Sequence, residues 1–145
     1  MKINIKKLNS NATLPTRGSE FAAGYDLYAC LNESVTIRAG ETVKIPTGLA
    51  IEIPEGYAGL IYARSGLATK KGLAPANKVG VCDSDYRGEY IIFLHNHSKI
   101  DAMIEPNERI AQLIVTPFLA VTFEETDELS ETKRGAGGFG STGRM

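Results

Sequence analysis

Apolar and polar residues alternate in short runs along most of this chain, and turn residues separate the runs. The runs are VTIR (35–38), TVKI (42–45), LAIEI (49–53), YAGLIYA (57–63), YIIFL (90–94), IAQLIV (110–115) and LAVTF (119–123). A period of two residues is typical of strands that bury one face, and short strands at this spacing indicate a barrel or sandwich. The pattern therefore predicts an all-β domain, with prolines at strand ends: Pro46, Pro54, Pro106 and Pro117.

Two stretches depart from this alternation. SGLATKKG (65–72) predicts one short helix, with Ser65 at the N-cap and Gly72 just past the last turn. Beyond Phe123, EETDELSETK (124–133) is polar and acidic, and RGAGGFGSTG (134–143) is half glycine. We therefore predict one β domain over residues 1–123, followed by a linker and a mobile C-terminal segment over residues 124–145.

Size and charge narrow the function classes. The chain has 145 residues, of which 43% are hydrophobic and 23% charged, as in an ordinary globular domain. Its net charge of −1 argues against a nucleic-acid or membrane-surface binder. The start is not a secretory signal, and no apolar run is long enough to span a membrane. With two widely separated cysteines, Cys30 and Cys82, these features predict a cytoplasmic protein with free thiols.

Three stretches contain groups that could bind an anion. The glycine-rich end has backbone N–H groups that an anion can approach, with Arg134, Ser141 and Thr142 as donors and Phe139 to stack on a flat ring. A disordered tail is the alternative. Arg64 and Ser65 sit where a helix would begin, although a cap that only stabilises the helix explains them equally well. Gln112, in an apolar run, must be hydrogen-bonded either to a ligand or to the backbone.

Carboxylates mark two further stretches. NKVGVCDSDYRGEYIIF (77–93) places Asp83 and Asp85 around a predicted hairpin, either as a general base or metal ligand or as turn acids bonded to their own backbone. Asp26 lies in AAGYDLYAC (22–30), where a buried carboxylate needs a partner such as an arginine. His95 and His97 could share a strand face, but a structural metal usually needs three or four protein ligands.

Taken in order, these stretches resemble the five motifs of the trimeric deoxyuridine triphosphatases (dUTPases). The matching segments are AGYDLYA (23–29), RSGLA (64–68), GVCDSDYRGE (80–89), RIAQLIV (109–115) and RGAGGFGSTG (134–143). The resemblance implies a jelly-roll-like β-barrel subunit with one short helix and a flexible glycine-rich C-terminal arm. It further implies a homotrimer whose three active sites lie at subunit interfaces. Each site would take its first, second and fourth motifs from one subunit, its third from another and its last from the remaining one.

The resemblance also implies the reaction: hydrolysis of dUTP to dUMP and pyrophosphate with Mg²⁺, which keeps uracil out of DNA and supplies dUMP for thymidylate synthesis. Asp83 would be the base that activates water for in-line attack on the α-phosphorus. Mg²⁺ would be held by the substrate phosphates, with Asp26 acting on the metal only indirectly, through water or an arginine. The phosphates would be bound by Arg64, Ser65, Gly66 and Gln112.

Substrate selectivity and closure follow from the same resemblance. Tyr86 would pack under the deoxyribose and exclude a 2′-hydroxyl. Uracil would lie in a slot lined by Asn77, Gly80 and Val81. The C-terminal arm would close over the nucleotide, with Phe139 stacked on uracil and Arg134 at the γ-phosphate, together with Gly140, Ser141 and Thr142.

Two departures from the family pattern leave the reaction in place. Cys82 precedes Asp83 where an aliphatic residue is usual, and Asn107 with Glu108 stands where a glycine is frequent; asparagine tolerates a left-handed turn. Two other functions remain open. One is a dCTP deaminase or bifunctional deaminase–pyrophosphatase on the same fold, which DSDYRGE and the intact last motif disfavour. The other is a nucleotide-gated regulator that binds a protein partner, although no inserted segment suggests one.

Overall fold

The computed structural model describes residues 1–138, and twelve strands with one short helix account for its regular structure. The strands are β1 (Asn4–Lys7), β2 (Thr16–Arg17), β3 (Tyr25–Tyr28), β4 (Val35–Ile37), β5 (Thr42–Pro46), β6 (Leu49–Glu52), β7 (Tyr57–Tyr62), β8 (Leu73–Pro75), β9 (Gly80–Cys82), β10 (Ile91–Asn96), β11 (Ala102–Ile104) and β12 (Arg109–Pro117); helix α1 is Ser65–Lys71. The all-β prediction with one short helix is therefore confirmed.

All the strand pairs are antiparallel, and they form four sheets. The largest has five strands in the order β2-β3-β12-β7-β9; the others are β5-β10-β8, β1-β6 and β4-β11. One apolar core joins them, because fully buried side chains come from several sheets: Leu27, Ile45, Leu49, Leu94, Ile104 and Ile110. The alternating runs found in the sequence thus bury one face of each strand, as expected.

Helix α1 begins one residue earlier than predicted. Its N-cap is Arg64, in extended conformation, so Ser65 is the first helical residue and makes no side-chain cap. The end is as predicted: Gly72 adopts φ 67°, and its N–H donates to the carbonyl of Ala68 at 3.1 Å. Glycine takes this left-handed conformation without the steric cost that a Cβ would bring. No helix in residues 1–138 is long and apolar enough to cross a bilayer.

Two predictions about strand pairing are wrong. The stretch containing Asp83 is not a hairpin, because β9 pairs with β7 in the five-stranded sheet while β10 pairs with β5 and β8. Residues 119–123 do not form a strand: after Phe118 donates to Gly56, this segment pairs with no other described residue. A strand requires a partner, which alternation alone does not supply. Asn107, by contrast, takes the left-handed conformation expected for it, with φ 61°.

Candidate active site

The first motif, the fourth motif and the start of the second meet on one face of the five-stranded sheet. Directly opposed residues of neighbouring strands point to the same face. Gln112 of β12 lies between Asp26 of β3 and Tyr62 of β7, so these three share a face. The chain remains extended beyond β7, and Arg64, two residues after Tyr62, returns to that face.

Asp26 is the centre of this face and is held by two arginines. Its side chain is 12% exposed, and Oδ1 accepts from Arg64 Nε at 2.6 Å. Oδ2 accepts from Arg64 Nη2 at 3.5 Å and from Arg109 Nη1 at 3.3 Å. A buried carboxylate needs such partners, and they account for both of its oxygens. The structural pairing with an arginine considered for Asp26 is therefore present, and it fixes the direction of the Arg64 guanidinium.

Gln112 is fixed against the same cleft. Its Nε2 donates to the carbonyl of Ala63 at 2.8 Å, which leaves a second amide N–H free to donate. Gly24 lies directly beside it, and a Cβ at that position would collide with the Gln112 side chain. Glycine at position 24 therefore leaves room for the Gln112 side chain.

A cleft of about 190 Å³ opens at these groups. It is lined by Gly18, Ala22, Gly24, Asp26, Arg64, Ser65, Arg109 and Gln112. Two guanidinium groups, a serine hydroxyl and an amide donor converge on it, and such groups bind phosphate oxygens. Gly66 lines a neighbouring cleft with Arg64 and Lys70, in which Lys71 is paired with Glu108 at 2.6 Å.

Arg109 was not selected from the sequence as a site residue. In a regular strand, Arg109 and Gln112 would point to opposite faces. A β-bulge between Arg109 and Ala111 shifts the register, so that Arg109 opposes Tyr28 while Gln112 opposes Asp26. Tyr28 and Asp26 share a face, and so Arg109 joins Gln112 on it. Bulges commonly redirect a side chain in this way; the signal in the sequence is the pair of adjacent buried residues, Ile110 and Ala111.

The third motif forms a second cluster at the sheet edge. Asn77, Gly80 and Phe93 line a narrow slot together with Ile61, Pro75, Ile91 and Ile92. Val81, in the middle of β9, is exposed. Asp83 follows the strand and is exposed, and its carbonyl accepts from the Tyr86 N–H at 3.2 Å in a turn. Asp83 and Asp85 thus lie in a turn and not on a common strand face.

Asp83 is well separated from the cleft at Asp26 within one chain. Cys82 of β9 pairs with Gly59 of β7, three residues along β7 from Tyr62, the partner of Gln112. With a rise of about 3.3 Å per residue and a strand spacing of about 4.8 Å, Asp83, one residue further, is roughly 16 Å from Gln112 between Cα atoms. Among the described residues, none from 77 to 89 lines the cleft at Asp26.

Half of the last motif, residues 139–143, falls outside the described residues. Arg134 is exposed, and its Nε donates to the carbonyl of Gly137 at 2.7 Å. Within residues 1–138, its guanidinium therefore bonds to its own turn and not to the cleft. The remaining predicted residues of the arm, Phe139, Gly140, Ser141 and Thr142, lie beyond the described part of the chain.

The described side chains do not make a metal cage by themselves. Within residues 1–138, no three histidines, cysteines or carboxylates are grouped as metal ligands. Both oxygens of Asp26 are bound by arginines. The rings of His95 and His97 pack edge-to-face, with their centroids 4.4 Å apart, and His95 Nδ1 is 2.9 Å from Thr42 Oγ1.

Comparison with known proteins agrees with this geometry. A family model described as dUTPase matches residues 10–143. The deoxyuridine 5′-triphosphate nucleotidohydrolase of Nautilia profundicola is 49% identical over 144 residues, covering 99% of this chain and 100% of that protein. The dUTPase of Staphylococcus bacteriophage 80alpha with dUPNHPP superposes with a TM-score of 0.89 at 30% identity, covering 98% of each chain.

A third similar protein is a mutant dUTPase from phage phi11 of S. aureus, whose structure concerns the coordination of a structural Mg(II) ion. It is 25% identical, with a TM-score of 0.81 over 90% of this chain and 100% of that one. These likenesses define the class: a jelly-roll-like β subunit of the nucleotidohydrolase kind. The chain belongs to the dUTPase family, the dUTP diphosphatases.

Proposed function

We propose that this chain hydrolyses dUTP to dUMP and pyrophosphate. The observation that carries the proposal is the cleft in which Asp26 orients Arg64 beside Ser65 and Gln112, in a chain of the dUTPase family. The product dUMP would supply thymidylate synthesis, and removal of dUTP would keep uracil out of DNA, in the cytoplasm.

The cleft is the triphosphate site in this proposal. Arg64 presents a guanidinium whose direction is set by Asp26, and guanidinium groups bind phosphate oxygens in a fork. Ser65 adds a hydroxyl at the cleft, Gly66 keeps the helix surface open, and Gln112 has a free amide N–H. Arg109 adds a second positive charge on Asp26, which leaves the cleft with an excess of positive charge.

Asp83 is the general base for the attacking water. Its carboxylate takes a proton from water as the oxygen attacks the α-phosphorus in line, and the bond to the bridging oxygen of the pyrophosphate leaving group breaks. Positioning and charge neutralisation provide most of the catalysis in phosphoryl transfer. When bound to the triphosphate oxygens, Mg²⁺ would neutralise the negative charge that develops on the leaving group. A hard ion that keeps its waters needs few protein ligands.

We assign selectivity for the base and the sugar to the third-motif cluster at the sheet edge. Uracil occupies the slot at Asn77 and Gly80, beside the backbone of Val81, where backbone groups match its donors and acceptors. Cytosine reverses the pattern at the 4-position and would leave buried polar groups unpaired, which is costly. Tyr86 lies under the deoxyribose and excludes a 2′-hydroxyl.

Assembly as a homotrimer would bring the two clusters together. The base must lie within hydrogen-bond reach of the water at the α-phosphorus, whereas Asp83 is roughly 16 Å from Gln112 in one chain, by the strand spacing. Placing the third motif of one subunit against the cleft of another removes this gap. Exposed large apolar side chains support such an interface: Val81, Phe93, Phe118, Leu119, Val121 and Phe123.

The C-terminal arm completes the site from the remaining subunit. Residues 124–145 form a linker and a lid in this proposal, distinct from the domain of residues 1–123. Arg134 would leave its turn with Gly137 and bind the γ-phosphate. Phe139 would stack on uracil, with Gly140, Ser141 and Thr142 closing over the phosphates.

The first experiment measures pyrophosphate release with Mg²⁺ from dUTP, UTP, dCTP and dTTP, with ammonia assayed in the dCTP reaction. The proposal expects rapid hydrolysis of dUTP alone. Ammonia from dCTP would instead make the protein a deaminase on this fold. No turnover of any nucleotide would make it a nucleotide-binding regulator.

The base is tested by Asp83→Asn, with Asp85→Asn as the matched control in the same turn. Loss of a general base lowers kcat by about 10²–10⁴-fold, while binding of a non-hydrolysable dUTP analogue should persist. Asp85→Asn should retain most of the activity. If the two variants lose activity equally, the assignment of the base to Asp83 is wrong.

A further inference from the structure

Tyr90 lies buried beneath the turn that carries Asp83 and Tyr86. Its side chain is 2% exposed. Its backbone is held by the connection between β5 and β6: the N–H donates to the carbonyl of Leu49 at 2.8 Å, and the carbonyl accepts from Thr47 Oγ1 at 2.6 Å. Thr47 is itself fully buried. Tyr90 is therefore anchored to the core and not to the turn above it.

The ring of Tyr86 rests on this anchored residue. The two ring centroids are 6.0 Å apart with an interplanar angle of 37°, within the range in which aromatic rings attract each other. Two further neighbours hold Tyr86 in place. Its hydroxyl donates to the carbonyl of Glu89 at 3.0 Å, and a Cβ at Gly88 would collide with its ring. Tyr86 is thus fixed although it is 44% exposed.

Cys82 lies near the hydroxyl end of Tyr90. The Tyr90 hydroxyl makes no hydrogen bond within residues 1–138, and the Cys82 thiol is its polar neighbour. Burial raises the pKa of both groups, so both are neutral at physiological pH. Cys82 also packs over Gly59 of β7 and immediately precedes Asp83. Tyr90 therefore lies beside both Cys82, the residue before the proposed base, and the ring proposed to select the sugar.

We propose that Tyr90 is a positioning residue for sugar selectivity: it holds the Tyr86 ring at the height that excludes a ribose 2′-hydroxyl. This inference rests on the proposed function. A ring can exclude a 2′-hydroxyl by contact only if the ring is held in place. A displacement of about 1 Å at a reacting site can change a rate by about 10²-fold. Without the ring of Tyr90, Tyr86 loses a neighbour that is anchored in the core.

The test compares Tyr90→Leu with the conservative Tyr90→Phe in the full chain. For each variant, kcat and KM are measured for dUTP, UTP and dCTP. Tyr90→Leu should lower the preference for dUTP over UTP, as the ratio of kcat/KM values, by about 10-fold or more. Its preference for dUTP over dCTP should be unchanged, because the uracil slot at Asn77 and Gly80 does not include Tyr90. Tyr90→Phe keeps the ring and should leave both ratios at their wild-type values.

Ile104→Ala is the control for general destabilisation. Ile104 is fully buried in β11 and lines neither proposed cluster, so its truncation should lower stability without changing either ratio. Tyr90→Met, which fills the space with a flexible chain, replaces Tyr90→Leu if that variant does not fold, with the same expectation.

Three results would overturn the inference. In the first, the folded Tyr90→Leu or Tyr90→Met variant keeps the wild-type preference for dUTP over UTP. In the second, both preferences fall in the same proportion, which indicates general loosening. In the third, wild-type protein hydrolyses UTP as fast as dUTP, which would overturn the proposed function itself. The first two leave the proposed function standing.

Discussion

Asp26→Asn isolates the contribution of the charge at the centre of the cleft. Asparagine has nearly the shape of aspartate but no charge, and its amide nitrogen is a donor that would face the donors of Arg64 or Arg109. The native carboxylate accepts from Arg64 Nε at 2.6 Å and from Arg109 Nη1 at 3.3 Å. The substitution therefore removes the negative charge and sets an amide donor against one of the two guanidinium groups, while the packing volume is nearly conserved.

The exposure of the arginines sets the size of the effect. Breaking a fully buried ion pair costs about 3–5 kcal/mol. The side chains of Arg64 and Arg109 are 25% and 50% exposed, so water solvates them in part after the change. We therefore expect a loss of about 2 kcal/mol in the free energy of unfolding, below the fully buried case and above an exposed pair. This corresponds to about a 30-fold change in the folding equilibrium.

The assay is urea denaturation at one fixed protomer concentration, because association would make the stability depend on concentration. Glu52→Gln is the matched control: it removes the carboxylate of the Arg87–Glu52 pair at 3.1 Å, whose side chains are 56% and 45% exposed. An exposed pair should contribute less than about 1 kcal/mol. Equal losses for Asp26→Asn and Glu52→Gln would refute the reasoning that burial makes the cleft pair the stronger one.

Three further results are expected. Gly24→Ala should raise KM for dUTP and cost about 1–3 kcal/mol in unfolding free energy, because its Cβ collides with the cleft glutamine; Gly18→Ala, with open space around its Cβ, should leave the unfolding free energy unchanged. Burial raises the pKa of Cys82 and Tyr90 above their ordinary 9.0 and 10.0, so the folded state retains more protons and the free energy of unfolding should fall as pH rises above 9.0. In urea titrations across this range, Cys82→Val combined with Tyr90→Phe should flatten that fall, and an unchanged slope would contradict it. Deleting residues 134–145 should lower kcat for dUTP and leave the thermal midpoint unchanged, whereas unfolding would contradict a lid role.

The strands were predictable where one face is buried by the same chain. The runs at 42–45 and 57–63 became β5 and β7 within one residue at each end. The same reasoning failed for residues 119–123, whose Leu119, Val121 and Phe123 alternate as in a strand but remain exposed. Alternation indicates that one face of a strand is to be buried. It does not indicate which segment or subunit covers that face.

The pairing of β9 was not predictable from local signals for a similar reason. Short turn-rich segments between two apolar runs favour a hairpin, yet β9 adds to the edge of β7 and leaves β10 to another sheet. The choice depends on contacts between residues far apart in sequence. Arg109 was missed because a single bulge reverses the face on which it lies, and period-two reasoning assumes that no residue is added.

Buried polarity alone would not have located the candidate site, and the comparison of three residues explains why. Thr47, Asn96 and Asp26 are all buried and polar. The first two bond to backbone carbonyls of the core, at Tyr90 for Thr47 and at Ile37 for Asn96, so they complete the fold. Asp26 instead bonds to Arg64, a charged side chain that lines an open cleft. A buried charge whose partner faces a cleft orients that partner toward whatever occupies the cleft, and this link between the core and the cleft is the basis for the proposed role of Asp26.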